Sequence, residues 1–306
     1  MSSAVKTAYI QLHISILLWG LTAILGKLIT LAGLVLVWWR ILFTVGSFLL
    51  NPSLYADLQR LTRPQVLRMA TIGTFIMLHW VCFYSSIKYS NASVTLSCLA
   101  TTSICTAFIE PLWSRTPFKW YEIVLGLAII PGMALMYGFV PSSYYFGIIL
   151  GFGAALFAAI FTTLNKEVMD GDTAVSPFAI SFVELSFGFV GVSILMPIYL
   201  YFTNDVFMPS AEISPYGGND YIWLLVLSLA CTTLPFILSL KALKHLSAFT
   251  TTLSVNLEPV YGIILAWLIF QENKELGSTF YIGIAMVLLV VALHPFFKKR
   301  FEKKIF

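Results

Sequence analysis

An acid followed directly by a proline stands inside an apolar stretch of the sequence, SVNLEPVYGIILAWLIF at residues 254–270. If a helix begins near Ser247, Glu258 lies about 16 Å along it, close to the middle of a bilayer. Ionisable groups at that depth are costly and usually face protein or a water-filled cavity. Pro259 has no N–H, so it leaves the carbonyl of Val255 without its usual helical partner. Glu258 could contact solute or carry a proton; alternatively, a protonated Glu258 only bonds the carbonyl and packs helices.

Arg40 follows Trp38 and Trp39 in another apolar stretch. Its guanidinium could hold an anionic group such as a carboxylate, because its donors form a planar fork. Alternatively, Arg40 extends to the outer interface of the membrane, where the two tryptophans form part of an interfacial belt. Aligning RILFTVG with ELSFGFVG places Arg40 on Glu184, so equivalent positions carry opposite charges.

His79 lies in the middle of a third apolar stretch, next to Trp80. Histidine titrates near neutral pH, so His79 could relay a proton or contact solute. It could equally be a neutral hydrogen-bonding residue that ties two helices together. Tyr84 lies four residues after Trp80, on the same helix face, and adds an aromatic wall.

Glu110 is also followed by a proline, but it differs from Glu258 in depth. Thr102 is the residue that aligns with Glu258, and Glu110 lies about two helical turns nearer the cytoplasmic end of its helix. We interpret Glu110 as a gate or interfacial acid that could pair with Arg115 or Lys119.

The sequence predicts one central cavity built from ionisable, aromatic and hydroxyl side chains. The predicted cavity residues are Trp19, Trp39, Arg40, His79, Trp80, Tyr84, Thr101, Thr102, Glu184, Asn256 and Glu258. The candidates for proton coupling are Glu258, His79 and Glu184. No catalytic residue, metal ligand or cofactor is predicted.

Enzymatic motifs do not accompany these residues. The sequence has no HExxH, GxSxG or P-loop pattern, so a membrane-embedded enzyme is the less favoured alternative. A channel would need a ring of identical filter groups, which the sequence lacks. Its four cysteines, at positions 82, 98, 105 and 231, fall in apolar runs without zinc-like spacing and are interpreted as packing residues.

The composition identifies the protein class. Hydrophobic residues make up 59% of the 306 residues and charged residues only 10%, whereas soluble domains carry about 25% charged residues. We therefore predict an all-α polytopic membrane protein. Ten apolar runs are long enough to span a bilayer of about 30 Å. They are residues 8–32, 34–51, 65–89, 91–113, 120–140, 144–166, 176–202, 221–244, 247–270 and 277–297.

The distribution of positive charge predicts the orientation. Basic residues in short loops mark the cytoplasmic side, and the tail after residue 297 contains five of them. The C-terminus is therefore expected to be cytoplasmic, and ten spans place the N-terminus there too. The long outer loop, about residues 203–220, is acidic and has no Lys or Arg. The net charge of +4 thus concerns membrane orientation, and no nucleic-acid partner is predicted.

The chain contains an internal repeat. EIVLGLAIIPGMALMY (122–137) resembles TFYIGIAMVLLVVAL (279–293), and ILGK (24–27) aligns with TLNK (163–166). Each half has five predicted helices, so the second half enters the membrane from the opposite side, as in many secondary transporters. The predicted repeats are residues 1–141 and 142–306, the second ending in the basic cytoplasmic tail.

The sequence resembles the ten-helix, two-repeat EamA-domain group of the drug/metabolite transporter superfamily. The residues that carry the resemblance are LLWGLTAILGK (17–27), WWRILF (38–43), LHWVCFYSSIKYSNASV (78–94) and NLEPVYGIILAWLIFQE (256–272). The resemblance implies that helices 1–4 and 6–9 surround a central cavity while helices 5 and 10 are peripheral. It also implies transport of small metabolites, often export.

We therefore expect a secondary transporter in the cell (inner) membrane that works by alternating access. The mixed cavity suits a small polar or zwitterionic metabolite, such as an amino acid, and a proton is the expected coupling ion if transport is coupled. An uncoupled facilitator or a channel is the alternative. The expected partners are this small solute and the lipid bilayer, and the expected oligomeric state is a monomer or weak homodimer.

Overall fold

The structure is a computed structural model that describes residues 2–90, 92–137, 142–171, 175–213, 217–258, 260–262 and 278–302. Helices dominate these ranges, and no strand occurs in them. The α-helices are α1 (Ser3–Leu28), α2 (Gly33–Leu49), α3 (Ser53–Gln59), α4 (Arg63–Tyr89), α5 (Ala92–Leu99), α6 (Thr102–Ser114), α7 (Trp120–Tyr137), α8 (Tyr145–Gly171), α9 (Pro177–Thr203), α10 (Asp220–Ser228), α11 (Leu234–Leu243), α12 (Ala248–Val255) and α13 (Ser278–Glu302). A 3₁₀ turn (Ser142–Tyr144) precedes α8, and a π turn (Leu229–Thr233) joins α10 to α11.

Six helical segments in the described residues are long and apolar enough to cross a membrane. They are Ser3–Gly26, Arg63–Ile87, Ser142–Gly171, Pro177–Thr203, Asp220–Leu243 and Tyr281–Phe301. A seventh span results if α2 and α3, which meet at 92°, count as one bent segment. The chain is thus an all-helical, multi-pass membrane protein, while ten spans and cytoplasmic termini stay predictions.

The predicted fourth and ninth spans are not continuous helices, which corrects the sequence analysis. Turns at residues 100–101 and 256–257 interrupt them. At the first break the N–H of Thr101 donates to the carbonyl of Cys98 (3.0 Å), and at the second the N–H of Asn256 donates to that of Leu253 (3.2 Å). Both bonds have the tighter i→i+3 spacing of a 3₁₀ turn. Since Thr102 aligns with Glu258 in the repeat, the two breaks fall at equivalent positions.

Polar side chains at the two breaks compete for the same backbone carbonyls. The hydroxyl of Thr101 donates to the carbonyl of Cys98 (2.6 Å). The amide of Asn256 donates to the carbonyl of Leu253 (3.2 Å). Such local bonds offer the backbone an alternative to the helical pattern. The predicted contribution of Pro259 lies outside the described residues.

A π turn distorts the span formed by α10 and α11. The hydroxyl of Thr232 donates to the carbonyl of Leu227 (2.8 Å), five residues earlier. Pro235 follows the turn and has no N–H, so in a regular helix the carbonyl of Cys231 would lose its partner. The turn therefore presents backbone and hydroxyl groups to other helices inside the bundle.

The hydrophobic core joins the two halves of the chain. One cluster combines side chains of α2 and α4 with those of α9, α10 and α11. A second cluster combines α1, α6 and α7 with α12 and α13. The two halves are consequently interleaved, and an opening between them must move helices that share a core.

Glycines set the closest contact between the halves. A Cβ added to Gly73 in α4 would lie 2.1 Å from the carbonyl oxygen of Glu184 in α9, and one added to Gly188 would lie 3.2 Å from the carbonyl oxygen of Gly73. Small residues allow helix backbones in a membrane to approach this closely. The contact fixes the position of α9, and with it the buried Glu184.

Gly73→Ala is expected to destabilise the protein, because its methyl group must push α4 away from α9. Overpacking of this kind costs about 1–3 kcal/mol, more than the roughly 1 kcal/mol that alanine gains in helix propensity. Gly46→Ala in α2 is the matched control, since nothing lies within 4 Å of its added Cβ. Thermal unfolding in detergent should show a lower midpoint for Gly73→Ala alone; equal midpoints would contradict the contact.

Candidate functional site

A cavity of about 160 Å³ lies at the centre of the bundle. It is lined by side chains of α1, α2, α4, α8 and α11, and by those of the interrupted spans formed by α5, α6 and α12. The predicted residues that line it are Trp19, Arg40, His79, Trp80, Tyr84, Thr102, Asn256 and Glu258. Polar lining residues that the sequence analysis did not select are Thr22, Thr162, Asn165, Ser239, Thr251 and Thr252. In the sequence each of them is only a hydroxyl or amide residue within an apolar run. Such residues are also common at helix contacts, so the pattern does not distinguish cavity residues from packing residues.

Three residues predicted for the cavity lie elsewhere. Trp39 points to the segment after α9, where its indole N–H donates to the carbonyl of Phe207 (2.8 Å). Thr101 bonds its own helix at the break. Glu184 is fully buried in α9. The sequence predicted only the position of each residue along its helix, and the rotation of each helix directs these side chains away from the cavity.

Arg40 is buried, with only 4% of its surface exposed. Its Nε donates to the hydroxyl of Thr232 (2.7 Å) and its Nη1 to the hydroxyl of Tyr84 (3.1 Å). Its Nη2 donates to the carbonyl of Cys231 (3.4 Å), the group that Pro235 would leave without a helical partner. The alternative in which Arg40 extends to the membrane interface is wrong, because the π turn and α4 hold the side chain inside.

The partners of Arg40 are neutral. The guanidinium carbon lies 4.8 Å from the ring centre of Trp80, a cation–π contact. Within the described residues no carboxylate lies within ion-pair distance of Arg40, although Glu258 lines the same cavity. A buried cation with only neutral partners favours an anionic group of a bound solute.

His79 links two helices and also lines the cavity. Its Nδ1 lies 2.8 Å from the carbonyl oxygen of Ala154 in α8, and only a protonated nitrogen can donate there. Nε2 is therefore the nitrogen that a solute could use. Phe83 stacks on the ring and Phe161 contacts it edge-on, at centroid distances of 6.0 and 5.6 Å. Both interpretations of His79, helix contact and cavity lining, describe part of its geometry.

The backbone of Glu258 is held by α1. A Cβ added to Gly20 would lie 3.3 Å from the carbonyl oxygen of Glu258 and 2.9 Å from the nitrogen of Gly262. The glycine therefore lets α1 approach the second broken helix directly. Trp19, the neighbour of Gly20, lines the cavity together with Glu258. The side chain of Glu258 forms no hydrogen bond or ion pair with a residue that the structure describes.

Glu184 is connected to the cavity through one amide. The Nδ2 of Asn165 in α8 lies 3.4 Å from its Oε2, and Asn165 also lines the cavity. The other carboxylate oxygen, Oε1, has no hydrogen-bond partner among the described residues. A fully buried carboxyl with so few donors is much less costly when it is protonated.

Hydrogen bonds at each end of the bundle join the two halves. At the end where α12 begins, the carboxylate of Glu110 accepts the N–H groups of Ala248 (3.1 Å) and Phe249 (2.8 Å). At the end where α2 begins, Asp220 accepts the N–H (2.9 Å) and hydroxyl (2.6 Å) of Thr30. Both acids are bound to the other half of the chain, so opening either end must break such bonds.

The predicted pairing of Glu110 with Arg115 or Lys119 is wrong. Its two oxygens bond the first N–H groups of α12 instead, where a carboxylate also interacts favourably with the positive end of the helix. Lys119 lies near Glu122, at 3.7 Å. Sequence proximity favoured the local cations, but the fold places the start of α12 closer to the carboxylate.

Comparisons with known proteins identify the family. The model of the EamA-like transporter family matches residues 6–138 and again residues 145–294. The chain belongs to the EamA-like transporter family. The family assignment indicates a transporter rather than an enzyme.

Individual relatives agree with this family. An uncharacterized transporter of Bacillus subtilis (strain 168), YxxF, is 24% identical over 298 residues, which cover 94% of this chain and 89% of that protein. An uncharacterized transporter of Methanothermobacter thermautotrophicus is 25% identical over 140 residues, 44% of this chain and 39% of that one. A solved crystal structure shares the fold, with a TM-score of 0.74, 13% identity, and coverage of 97% of this chain and 99% of that chain.

Glu110→Ala is expected to destabilise this EamA-family protein, because two N–H groups of α12 lose their acceptor. Loss of such a cap costs about 0.5–2 kcal/mol. Glu212→Ala removes an exposed acid whose side chain has no described partner and serves as the control. Chemical or thermal unfolding in detergent would contradict the contact if the two variants proved equally stable.

Proposed function

We propose that the chain is a secondary transporter of a small zwitterionic metabolite, such as an amino acid or a related compound, in the cell membrane. The observation that carries the proposal is the buried guanidinium of Arg40, which faces the cavity with neutral partners only. A carboxylate of the solute would complete its hydrogen bonding, because the guanidinium favours planar, paired acceptors. Glu258 and the faces of Trp19 and Trp80 are suited to a positively charged amino group.

The proposed mechanism is alternating access around this fixed site. Inverted repeats and discontinuous helices at the membrane midplane are features of secondary transporters. The turns at residues 100–101 and 256–257 border the cavity from the two halves, so a relative movement of the halves would change access at both. The bonds of Glu110 and Asp220 with the opposite half are the contacts that we propose break in turn.

If transport is coupled, we propose a proton as the coupling ion and Glu258 as its first carrier. Glu258 lines the cavity close enough to Arg40 to interact with its charge, and its carboxyl forms no hydrogen bond or ion pair with a described residue. We infer that a solute and a proton can both reach it. Glu184 and His79 are the further candidates, one behind Asn165 and the other bound to Ala154. The second candidate function is an uncoupled facilitator, which is favoured by the small volume of the central cavity, about 160 Å³, because solute and proton would have to share it.

Amino acids are expected to stabilise the purified protein more than the amines that lack their carboxylate. Arg40→Gln should remove most of this difference, since a lost charge-assisted hydrogen bond weakens binding by about 1.5–3 kcal/mol, or roughly 10–150-fold. The difference in stabilisation is measured by thermal shift with matched pairs of an amino acid and the amine that lacks its carboxylate. Arg63→Gln, an exposed residue at the start of α4, is the control.

The proposal is wrong if amine and amino acid stabilise the wild type equally, or if Arg40→Gln keeps the full preference. A folded Arg40→Gln protein is required for the comparison. If this variant fails to fold, Tyr84→Phe is tested in its place. It removes the hydroxyl that accepts from Nη1 of Arg40 and should change the difference in stabilisation between amino acid and amine in the same assay.

Glu258→Gln is expected to abolish solute accumulation driven by a proton gradient while leaving solute exchange intact. The amide keeps the size of the side chain but cannot exchange a proton. Proteoliposomes loaded with unlabelled solute measure exchange as counterflow, and an imposed pH gradient measures coupling. Glu212→Gln is the control variant, and Glu184→Gln and His79→Gln complete the series.

The flux measurements distinguish the proposed proton carrier and the alternative functions. Coupled uptake by Glu258→Gln at the wild-type rate would exclude Glu258 as the carrier. Counterflow without any effect of the pH gradient in the wild type would favour the facilitator. Flux without trans-stimulation would favour a channel.

A further inference from the structure

A second cavity, with a volume of about 680 Å³, lies at one end of the bundle, apart from the central site. It is bounded by the first turns of α1, the end of α8, the start of α9 and the end of α11. Its polar lining side chains include Thr7, Gln11, Ser176, Lys241, Lys244 and His245. Lys241, Lys244 and His245 are its titratable lining residues, and no Asp or Glu is among the described residues that line it.

The basic side chains of this cavity are not paired with any acid among the described residues. The side chains of Lys241, Lys244 and His245 form no ion pair or hydrogen bond with the residues that the structure describes. The nearby Lys166 is different, because its ammonium contacts Asp170 (2.6 Å) and the carbonyl of Leu243 (2.9 Å). Within the part of the chain that the structure describes, the cavity is therefore a concave site whose basic side chains have no acidic partner.

The backbone around the cavity has the same electrostatic preference. Helices α1 and α9 both begin at its wall, after the N-cap residues Ser2 and Ser176. The positive ends of two helix dipoles thus face the same region. One acid is close: Asp57 accepts the hydroxyl hydrogen of Ser176 (2.5 Å), but it does not line the cavity.

We propose that this cavity binds the phosphate group of an anionic ligand, with Lys241 and Lys244 as its main contacts. The cavity lies at the ends of membrane-spanning helices, on the face that the charge distribution assigns to the cytoplasm. Basic pockets between helices on that face suit the headgroups of anionic phospholipids. A soluble phosphate would be recognised by the same chemistry.

Binding at this cavity would act on the relative position of the two halves. Helix α1 belongs to the first half, while α9 and α11 belong to the second. A ligand that contacts all three stabilises the arrangement in which they meet and lowers the population of others. The phosphate ligand is thereby a regulator that acts from a site separate from the central cavity, and this role rests on the proposed transport function.

The experiment compares lipids that differ in headgroup charge. The full-length protein in detergent is titrated with phosphatidylglycerol, with phosphatidylcholine, and with inorganic phosphate at constant ionic strength, and binding is followed by thermal shift and native mass spectrometry. Lys241→Gln combined with Lys244→Gln should weaken phosphatidylglycerol binding roughly thirtyfold, as expected for two lysines near an anionic headgroup. Lys241→Arg with Lys244→Arg should retain binding.

A charge-matched control separates this site from a general effect of positive charge. Lys298→Gln with Lys299→Gln removes two cations near the C-terminal end of α13, outside the cavity, and should leave binding unchanged. Binding of phosphatidylglycerol alone identifies a lipid site, whereas an equal effect of inorganic phosphate identifies a soluble ligand. The proposal is overturned if neither probe binds, or if the lysine-to-glutamine variant binds as tightly as the wild type. The two single substitutions provide the same comparison if the double variant does not fold.

Discussion

Backbone groups inside a bilayer have no water to bond, and this constraint determines where helices of this protein can be broken. A lipid-facing break would leave polar groups unpaired at a cost of several kcal/mol each. The turns at residues 100–101 and 256–257 both border the central cavity, and the π turn at residues 229–233 is bonded by Arg40. The irregular backbone of the described residues is therefore concentrated around the central cavity.

Arg40 connects this constraint to chemistry. Its three hydrogen bonds join α2, α4 and the π turn, so the cation is both a structural link between the halves and the main positive charge of the cavity. The neutral partners of Arg40 accept hydrogen bonds from its N–H groups but do not neutralise its charge. An ionic partner within the protein would have done both, and the site would then attract an anion less strongly.

Much of the architecture could be predicted from the sequence. Apolar length, loop charge and the inverted repeat predicted a multi-pass helical protein, and the family assignment agrees with the resemblance in the quoted motifs. The sequence alignment of Thr102 with Glu258 makes the positions of the two helix breaks equivalent in the two repeats. The breaks themselves were not predicted. Threonine at residue 101 and asparagine at residue 256 break their helices through side-chain bonds that a hydropathy pattern does not record.

Helix rotation and long-range contacts could not be predicted in the same way. Hydropathy gives the depth of a residue but not its direction when the helix is apolar on all sides, and for this reason Trp39 and Glu184 were assigned to the cavity. The contact of Glu110 with α12 spans 138 residues of sequence, whereas the local cations that we expected lie within nine residues of it. For Glu184, packing at Gly73 and Gly188 sets the position of its helix through backbone distances that only the folded chain provides.

The most direct test of the account is the accessibility of one residue at the centre of the cavity from each side of the membrane. Thr102→Cys, in a protein whose four native cysteines are replaced, can be treated with a membrane-impermeant thiol reagent applied to one face at a time. Alternating access around this cavity predicts modification from both faces, at rates that a bound solute lowers and an imposed solute gradient shifts in opposite directions. A cysteine that reacts from neither face, or only ever from one, would contradict alternating access around this cavity.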